Sequence, residues 1–387
     1  MKNSQMTKWI GGLITLVVMA AGMFVSSCSE NENSGAPVIL SVHKLDTIAR
    51  HRDSTIVGAE PGVLLVVHGE NINGVIHAYF NGYETSFNTN YNTSTDLIIS
   101  VPAQAPTDST ADNQIKLQTS HGTATFSFKI IAKPAIYSFD KVNFGADRGD
   151  ITFKGKNFAD MVSVVAFRAP NSPTEKVTDS VVCQIISKTP EKLVVRVPSD
   201  TLSRITFNFT NSSGTSYGKD VFVNADVAMK IFTDDYENIS NADGDGKWSG
   251  DTWANPETVT TDQAFGGTKS FMITLNAGQW SWFGFTSWWP RFYYDSKYKY
   301  LTFAIKGGND DFPLWISSSN STDGNGSFPS NANNKIMVAA KVWNYYMIPV
   351  ADLDLFTKGT MIQQFGLRPQ GPDKAETIYV DDVMFVK

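Results

Sequence analysis

The 387-residue sequence contains little cysteine, little histidine and no basic stripe, and each shortage excludes a kind of chemistry. Two cysteines in the whole chain exclude zinc ribbons and redox cysteine pairs by count. A net charge of −6 without a basic stripe argues against a nucleic-acid partner. The five histidines follow no metal-ligand spacing, so we expect them on the surface or in turns. They are His43, His51, His68, His77 and His121.

A long apolar run lies near the N-terminus, from Trp9 to Val25, behind a short basic segment. It ends in Val-Ser-Ser-Cys, and no basic stop-transfer residues follow Cys28. This site resembles the lipobox of bacterial lipoproteins, which implies a signal peptide over residues 1–27 and acylation of Cys28. The acidic residues 29–33 resemble the signal that sends such lipoproteins of Bacteroides-like bacteria to the cell exterior. A single membrane-spanning helix is the alternative interpretation of the run.

Acylation of Cys28 leaves Cys183 as the one unmodified cysteine of the mature chain. No internal disulfide can therefore form. Cys183 lies in the apolar run Val181–Ile186, so we expect a buried, small hydrophobic side chain there.

The mature chain of about 360 residues is long enough for two or three domains. Short alternating apolar runs, separated by Gly, Asn, Ser and Pro, indicate an all-β fold. One pattern occurs twice, with a Gly-x-Asn motif after the first run and a strand that ends in Val-Pro. The matched segments are Leu64–Gly82 with Ile151–Phe167, and Asp96–Pro102 with Lys192–Pro198.

This repeated pattern resembles the IPT/TIG immunoglobulin-like domains. After a short linker over residues 28–35, the resemblance implies two tandem β-sandwiches, at residues 36–133 and 134–225. Such modules resemble spacers more than active domains, and we expect them to hold the rest of the chain away from the membrane.

The composition changes from about residue 226, and eight of the nine tryptophans lie beyond this point. Successive strand patterns predict an antiparallel sandwich of jelly-roll type over residues 226–387. The predicted strands are Lys269–Asn276, Lys299–Gly307, Phe312–Ser318, Asn344–Val350, Ile362–Gln370 and Thr377–Lys387. The order of three motifs, Phe232–Asn238, Tyr345–Leu353 and Ile378–Phe385, resembles the carbohydrate-binding modules of that fold.

Half of the segment Ala277–Tyr294 is aromatic, and Gly284, Ser287 and Pro290 interrupt it as they would a loop. A sugar ring has an apolar face that flat aromatic rings match, while polar side chains bind its hydroxyl rim. Period-two alternation turns Trp315 and Arg368 away from the core, where they would share a face with this loop. Core packing is the alternative for each single aromatic residue. The predicted glycan contacts are Trp280, Trp282, Trp288, Trp289, Tyr293, Tyr294, Trp315, Trp343 and Arg368.

The resemblance to jelly-roll carbohydrate modules also implies a structural calcium ion. The candidate ligands that the resemblance points to are Asp235, Glu237 and either Asp381 or Asp382, which would supply the oxygen ligands that hard cations need. Solvated turn carboxylates are the alternative interpretation.

The C-terminal domain contains no histidine and no cysteine, which excludes Ser-His and Cys-His catalysis within it. Its carboxylates lie in no recognisable glycosidase motif. We therefore predict a binding protein without catalytic activity, with a surface glycoside hydrolase and a protein-binding adhesin as the alternatives.

The whole order resembles the surface glycan-binding proteins of Bacteroidetes polysaccharide-utilisation systems. It implies a surface-exposed lipoprotein of the outer membrane, with a porin-type transporter and a companion glycanase as partners. Many aromatic residues and few charges favour a neutral polymer. We predict a β-glucan such as xyloglucan or mixed-linkage glucan, with mannan, xylan and starch still open.

Overall fold

The computed structural model describes residues 35–45, 54–107, 111–198, 202–253, 255–278, 281–319, 334–356, 359–369 and 371–387. Over these residues the regular structure consists of 34 strands and a few three-residue 3-10 helices, so the all-β prediction is confirmed. No helix of the described part is long and apolar enough to cross a membrane. The predicted signal peptide and the acylated Cys28 lie outside the described residues.

The first compact unit of the chain ends at Ala132 and contains ten strands, which form the first sandwich. One sheet has the order β1-β3-β7-β6 and the other the order β5-β4-β8-β9, with β2 and β10 paired beside them. Alternate residues such as Leu65 and Val67 of β3 fill the core between them. The strands are β1 (Val38–Lys44), β2 (Gly58–Ala59), β3 (Leu64–Glu70), β4 (Val75–Phe80), β5 (Tyr83–Thr85), β6 (Phe87–Asn92), β7 (Asp96–Ser100), β8 (Gln114–Thr119), β9 (Gly122–Ser127) and β10 (Lys129–Ile130).

The second unit, Lys133–Lys387, begins with the second sandwich, which contains nine strands. Its strands follow the order β11-β13-β16-β15-β14-β17-β19-β12, with β18 on β17. Phenylalanines such as Phe153 and Phe207 form its core, and burial raises the pKa of Cys183 to about 12. The strands are β11 (Ala135–Phe139), β12 (Asn143–Phe144), β13 (Ile151–Lys156), β14 (Met161–Arg168), β15 (Ser180–Lys188), β16 (Lys192–Arg196), β17 (Arg204–Asn211), β18 (Gly214–Tyr217) and β19 (Phe222–Asn224).

The Gly-x-Asn motif has the same physical cause in both sandwiches. A Cβ on Gly69 would lie 1.9 Å from the carbonyl oxygen of Val38 in β1. A Cβ on Gly155 would lie 1.9 Å from that of Ala135 in β11, so only glycine fits at either position. Two residues later, Asn71 and Asn157 adopt φ of 55° and 63°, the left-handed conformation that asparagine tolerates. Each asparagine donates its side-chain N–H to a backbone carbonyl ahead of the first strand, so the repeat encodes one close approach of paired strands beside a β-bulge.

The rest of the second unit is the C-terminal sandwich, whose two antiparallel sheets enclose one apolar core. The front sheet has the order β23-β26-β33-β29-β30, and the back sheet the order β24-β25-β34-β28-β31, with β20 on β34. The chain passes repeatedly from one sheet to the other, as in a jelly roll, while β24–β25 and β29–β30 are pairs of consecutive strands within one sheet. The strands are β20 (Met229–Phe232), β21 (Asn238–Asn241), β22 (Gly244–Lys247), β23 (Ser249–Thr252), β24 (Thr258–Thr260), β25 (Ser270–Leu275), β26 (Phe283–Thr286), β27 (Phe292–Tyr293), β28 (Tyr300–Lys306), β29 (Phe312–Ser319), β30 (Lys335–Val338), β31 (Trp343–Pro349), β32 (Met361–Ile362), β33 (Gln364–Pro369) and β34 (Glu376–Val386).

All six predicted C-terminal strands are present, as β25, β28, β29, β31, β33 and β34. Their inward residues agree with period-two alternation: Leu314, Ile316, Phe365 and Leu367 all lie in the core. The alternation of β26 likewise buries Phe283 and Phe285 in the core and turns its even-numbered residues to the outer face.

Candidate functional site

The outer face of the front sheet contains a row of large side chains, each from a strand or from a residue next to one. They are Trp253, Trp282, Arg368, Trp315 and Lys335, and we call them the aromatic row. Trp315 pairs with Arg368 on one side and with Lys335 on the other. On the far side of β33, Phe283 pairs with Leu367, so Trp282 lies beside Arg368. The Trp253 N–H donates to the Trp282 carbonyl oxygen at 3.0 Å and completes the row. With strands about 4.8 Å apart, the row crosses about 20 Å of sheet.

Trp282 lies on the predicted face but is completely buried, so the prediction that it contacts a glycan is wrong. Its indole N–H donates to Ser317 Oγ at 2.9 Å, and its ring lies 6.1 Å from that of Trp253. A Cβ on Gly366 would lie 2.8 Å from the Trp282 ring, so this glycine provides the space that the indole occupies. Trp282 therefore forms the base of the aromatic row instead of a platform.

Trp253 lies next to the buried Trp282 in the aromatic row, and 60% of its own surface is accessible. Sequence reasoning missed it, although Ser249, Asp251 and Trp253 follow the period-two pattern of one strand face. Asp251 accepts a hydrogen bond from Gln364 Nε2 at 2.9 Å, which places polar groups beside the ring. An exposed indole with neighbouring amide and carboxylate groups can contact both the apolar face and the rim of a sugar.

Trp315 and Arg368 share the outer face of the front sheet, as the alternation predicts, and both are half-buried. The Lys335 ammonium lies 5.5 Å from the centroid of the Trp315 ring, within the range of a cation–π contact. This end of the aromatic row thus combines one indole with two cationic side chains.

A second group of exposed aromatic residues follows β26, and we call it the loop surface. Trp288, Trp289 and Tyr293 expose 52%, 65% and 39% of their surfaces. Arg291 lies beside two of these rings, with its guanidinium carbon 5.1 Å from the Trp289 centroid and 5.8 Å from the Tyr293 centroid. All three aromatic residues were predicted as glycan contacts, and all three are accessible.

Hydrogen bonds hold the loop surface in place. Arg291 donates from Nε and Nη2 to the two oxygens of Asp243 at 2.7 and 2.9 Å, and the Tyr293 hydroxyl lies 3.1 Å from Asp243 Oδ2. The Trp288 carbonyl accepts from Gln363 Nε2 at 3.0 Å. Rings that are fixed before a ligand arrives lose little conformational entropy on binding.

The same ion pair shifts the acid–base equilibria of the loop surface. The hydrogen bonds from Arg291 lower the pKa of Asp243, and those to Asp243 raise the pKa of Arg291. Both groups therefore stay ionised at physiological pH, and the Asp243 carboxylate offsets the charge of Arg291. The loop surface thus presents aromatic rings beside an ion pair that has no net charge.

We expect the affinity of the loop surface for its ligand to be constant from pH 7 to pH 5 and to fall below about pH 4. The pKa of Asp243 is depressed in the folded state, so the ordering that its carboxylate provides is present above the ordinary carboxyl pKa of about 3.9 and is lost as the pH falls through the folded value. Titration of ligand binding against pH measures this. Asp243→Asn should bind weakly at every pH, and a wild-type affinity that falls with a midpoint above the ordinary carboxyl pKa of about 3.9 would contradict the expectation.

Two predicted contacts lie outside both surfaces, and a third, Trp280, cannot be placed. The Tyr294 ring stacks on Phe356 at 4.1 Å, and partial burial raises the pKa of its hydroxyl, so packing accounts for it. Trp343 belongs to β31 in the back sheet, 5.7 Å from Phe265, and therefore lies on the wrong sheet to contact the same ligand. Trp280 lies outside the described residues.

The candidate calcium ligands do not form a cation site. Asp235 accepts from Lys247 Nζ at 2.9 Å, and Glu237 accepts from the Thr233 hydroxyl. Asp381 Oδ2 accepts two backbone N–H groups at 2.9 and 3.1 Å. Among the described residues no three or more His, Cys, Asp or Glu side chains are placed to hold a metal ion. The residues therefore do not fit the ion that the resemblance implied.

A β-sandwich that presents accessible, pre-positioned aromatic rings suits a ligand with apolar faces and a polar rim. No family model matches the chain. An IPT/TIG domain-containing protein of Bacteroides ovatus is 27% identical over 159 residues, which are 40% of this chain and 31% of that protein. The chain thus spans about a third of the length of the curated relative that it matches.

The solved structures to which the chain is similar include three surface glycan-binding proteins. PbSGBP-B from Prevotella bryantii is 16% identical, with a TM-score of 0.47 over 91% of this chain and 99% of that one. SGBP-B from a complex xyloglucan utilization locus of Bacteroides uniformis is 16% identical, with a TM-score of 0.36 over 91% and 99%. SGBP-B from the Bacteroides ovatus mixed-linkage glucan utilization locus is 12% identical, with a TM-score of 0.26 over 88% and 76%.

Proposed function

We propose that this protein binds a neutral polysaccharide at the cell surface through the aromatic residues of its C-terminal sandwich, without catalysing a reaction. The observation that carries the proposal is the exposure of Trp253, Trp288 and Trp289 on one sandwich. Indoles exposed to this extent have little role in the core, and their flat apolar faces match those of sugar rings.

The charges around these rings support a neutral ligand. Asp243 neutralises Arg291 at the loop surface, and Asp251 is bonded to an amide beside Trp253. An acidic glycan would need several uncompensated cations along its path, whereas Lys335 and Arg368 lie together at one end of the aromatic row, beside Trp315. Among neutral polymers we propose a β-glucan, either xyloglucan or mixed-linkage glucan.

The polymer rather than a short sugar is the proposed ligand, because the two surfaces lie at different places on the sandwich. Trp282 at the base of the aromatic row and Trp288 of the loop surface lie six residues apart, on either side of β26, which limits their separation to about 20 Å. A single sugar ring is too small to contact both surfaces. A chain of several rings reaches both and gains affinity from each.

The setting of the protein in the cell is also a proposal. Acylation of Cys28 would anchor it at the outer membrane, with the C-terminal sandwich outside the cell. There it would capture a polysaccharide for a porin-type transporter and a companion glycanase. A surface glycoside hydrolase remains the alternative, and the appearance of new reducing ends distinguishes it.

Affinity electrophoresis of residues 29–387 in gels that contain β-glucans, mannan, xylan, starch or pectin tests the proposal. We expect retardation by one neutral polymer and no new reducing ends. Retardation by none of the polymers would contradict glycan binding, and release of reducing ends would contradict the absence of catalysis.

A further inference from the structure

The junction between the second sandwich and the C-terminal sandwich buries a charged pair. The Asp382 side chain on β34 is completely buried, and the Arg148 side chain is 9% exposed. Arg148 ends the short 3-10 helix Ala146–Arg148 of the second sandwich and donates from Nη2 to Asp382 Oδ1. Asn143 of β12 donates from Nδ2 to the other oxygen of Asp382 at 2.6 Å. Both oxygens of this carboxylate therefore bind side chains of the preceding sandwich.

The helix that carries Arg148 is fixed at both ends. Lys141 Nζ donates to the Arg148 carbonyl at 2.7 Å, and Asp226 Oδ2 accepts from the Ala146 N–H at 2.8 Å. On the C-terminal side, a Cβ on Gly266 would lie 2.4 Å from Arg148 Nη1 and 2.5 Å from Asp382 Oδ2. The loop around Gly266 thus closes directly over the pair and leaves no room for a side chain.

Apolar and polar contacts surround this pair. Val223 and Ala225 of the second sandwich pack with Met384 and Val386 of β34 in one buried cluster. The Tyr345 hydroxyl donates to Asn143 Oδ1 at 2.8 Å. A charge that is buried in such surroundings is strongly destabilising when its partner is removed.

A second contact joins the same two sandwiches at the chain end. Arg204 Nε donates to the Lys387 carbonyl at 3.0 Å, and the Arg204 guanidinium carbon lies 3.8 Å from the centroid of the Tyr300 ring. The Lys387 N–H donates to Ser203 Oγ at 3.1 Å. The junction is therefore an extended packed interface.

We infer that Arg148 balances the buried Asp382 carboxylate in place of a metal ion, so that the C-terminal sandwich depends on the second sandwich and not on calcium. A hard cation binds through free carboxylate oxygens. Here both oxygens of Asp382 accept N–H groups, and those of Asp381 accept the backbone N–H groups of Phe265, Gly266 and Asp382. The second sandwich then acts as a structural partner that fixes the orientation of the aromatic surfaces, not as a spacer alone.

Thermal unfolding of residues 29–387 tests this inference. We expect Arg148→Gln to lower the melting midpoint by about 10 °C, because it leaves Asp382 buried without its cation. Arg148→Lys keeps the charge and should recover part of the loss. The matched control is Arg196→Gln, which removes the exposed Arg196–Asp150 pair of the same sandwich and should change the midpoint by about 2 °C or less. Neither EDTA nor calcium chloride should shift the wild-type midpoint.

Two results would overturn the inference. One is a wild-type midpoint that EDTA lowers and calcium restores. The other is an Arg148→Gln variant that melts no earlier than Arg196→Gln. If Arg148→Gln yields no folded protein, the melting midpoints of Arg148→Lys and Arg196→Lys are compared instead. We expect Arg148→Lys to melt earlier than the wild type and Arg196→Lys to melt with it. None of these readouts depends on glycan binding.

Discussion

Replacing Trp253 with alanine is expected to weaken polysaccharide binding about tenfold or more, with little change in stability. Truncation of a tryptophan that anchors a ligand typically removes more than about 1–2 kcal/mol of binding free energy. The residue is 60% exposed and lies outside the apolar core, but its ring covers part of Trp282, so we expect the free energy of unfolding to fall by about 1 kcal/mol or less. Isothermal titration with the polymer that retards the wild type measures the first effect, and urea unfolding the second.

The double replacement of Trp288 and Trp289 by alanine separates the contributions of the aromatic row and the loop surface to binding. It should weaken binding of the long polymer and leave short oligosaccharides that occupy the aromatic row less affected, because only a long chain reaches both surfaces. Tyr217→Ala is the matched control, since Tyr217 is 73% exposed on the second sandwich and lies on neither surface. If both tryptophan variants bind the polymer as tightly as Tyr217→Ala, the aromatic residues have another role.

Replacing Trp282 with alanine is expected to destabilise the fold by about 3–5 kcal/mol, the cost of truncating a large buried aromatic side chain. Its indole is completely buried between Trp253 and the space above Gly366, and its N–H binds Ser317. Trp282→Phe keeps much of the volume but leaves the Ser317 hydroxyl without this donor, so we expect an intermediate loss of about 1–3 kcal/mol. Urea unfolding of both variants measures these differences.

Trp288→Ala is the matched control for Trp282→Ala, because it removes the same type of side chain from an exposed position. Its unfolding midpoint should equal that of the wild type. A Trp282→Ala protein that is as stable as Trp288→Ala would mean that Trp282 does not support the front sheet. Glycan binding by Trp282→Ala, measured below its unfolding transition, should also weaken, since Trp253 loses its neighbouring ring.

Much of the fold could be predicted from local patterns because strands alternate their side chains strictly. The positions of Leu314 and Ile316 in β29 and of Phe365 in β33 fixed which side faces the core, and Trp315 and Arg368 followed on the opposite side. The Gly-x-Asn motif identified the repeat, whereas the cause of its glycine, a close approach to the paired first strand, became visible only in the structure.

The candidate site was only partly predictable, because accessibility depends on neighbouring strands. Trp282 and Trp288 flank the same strand, β26, and have the same chemistry, yet one is completely buried and the other half exposed. The difference arises from Gly366 and Ser317, which β33 and β29 bring beneath Trp282. Nothing adjacent to Trp282 in the sequence carries that information.

Local patterns were enough to predict six strands of the C-terminal domain, the repeat, the inward sides of β29 and β33 and the aromatic character of this domain, because each depends on residues a few positions apart. Which aromatic rings remain accessible, and which cation pairs with the buried Asp382, depends on tertiary contacts. Arg148 and Asp382 are 234 positions apart and meet only where two sandwiches pack. Burial and charge pairing of this kind are properties of surfaces that come together, and no local pattern of residues specifies them.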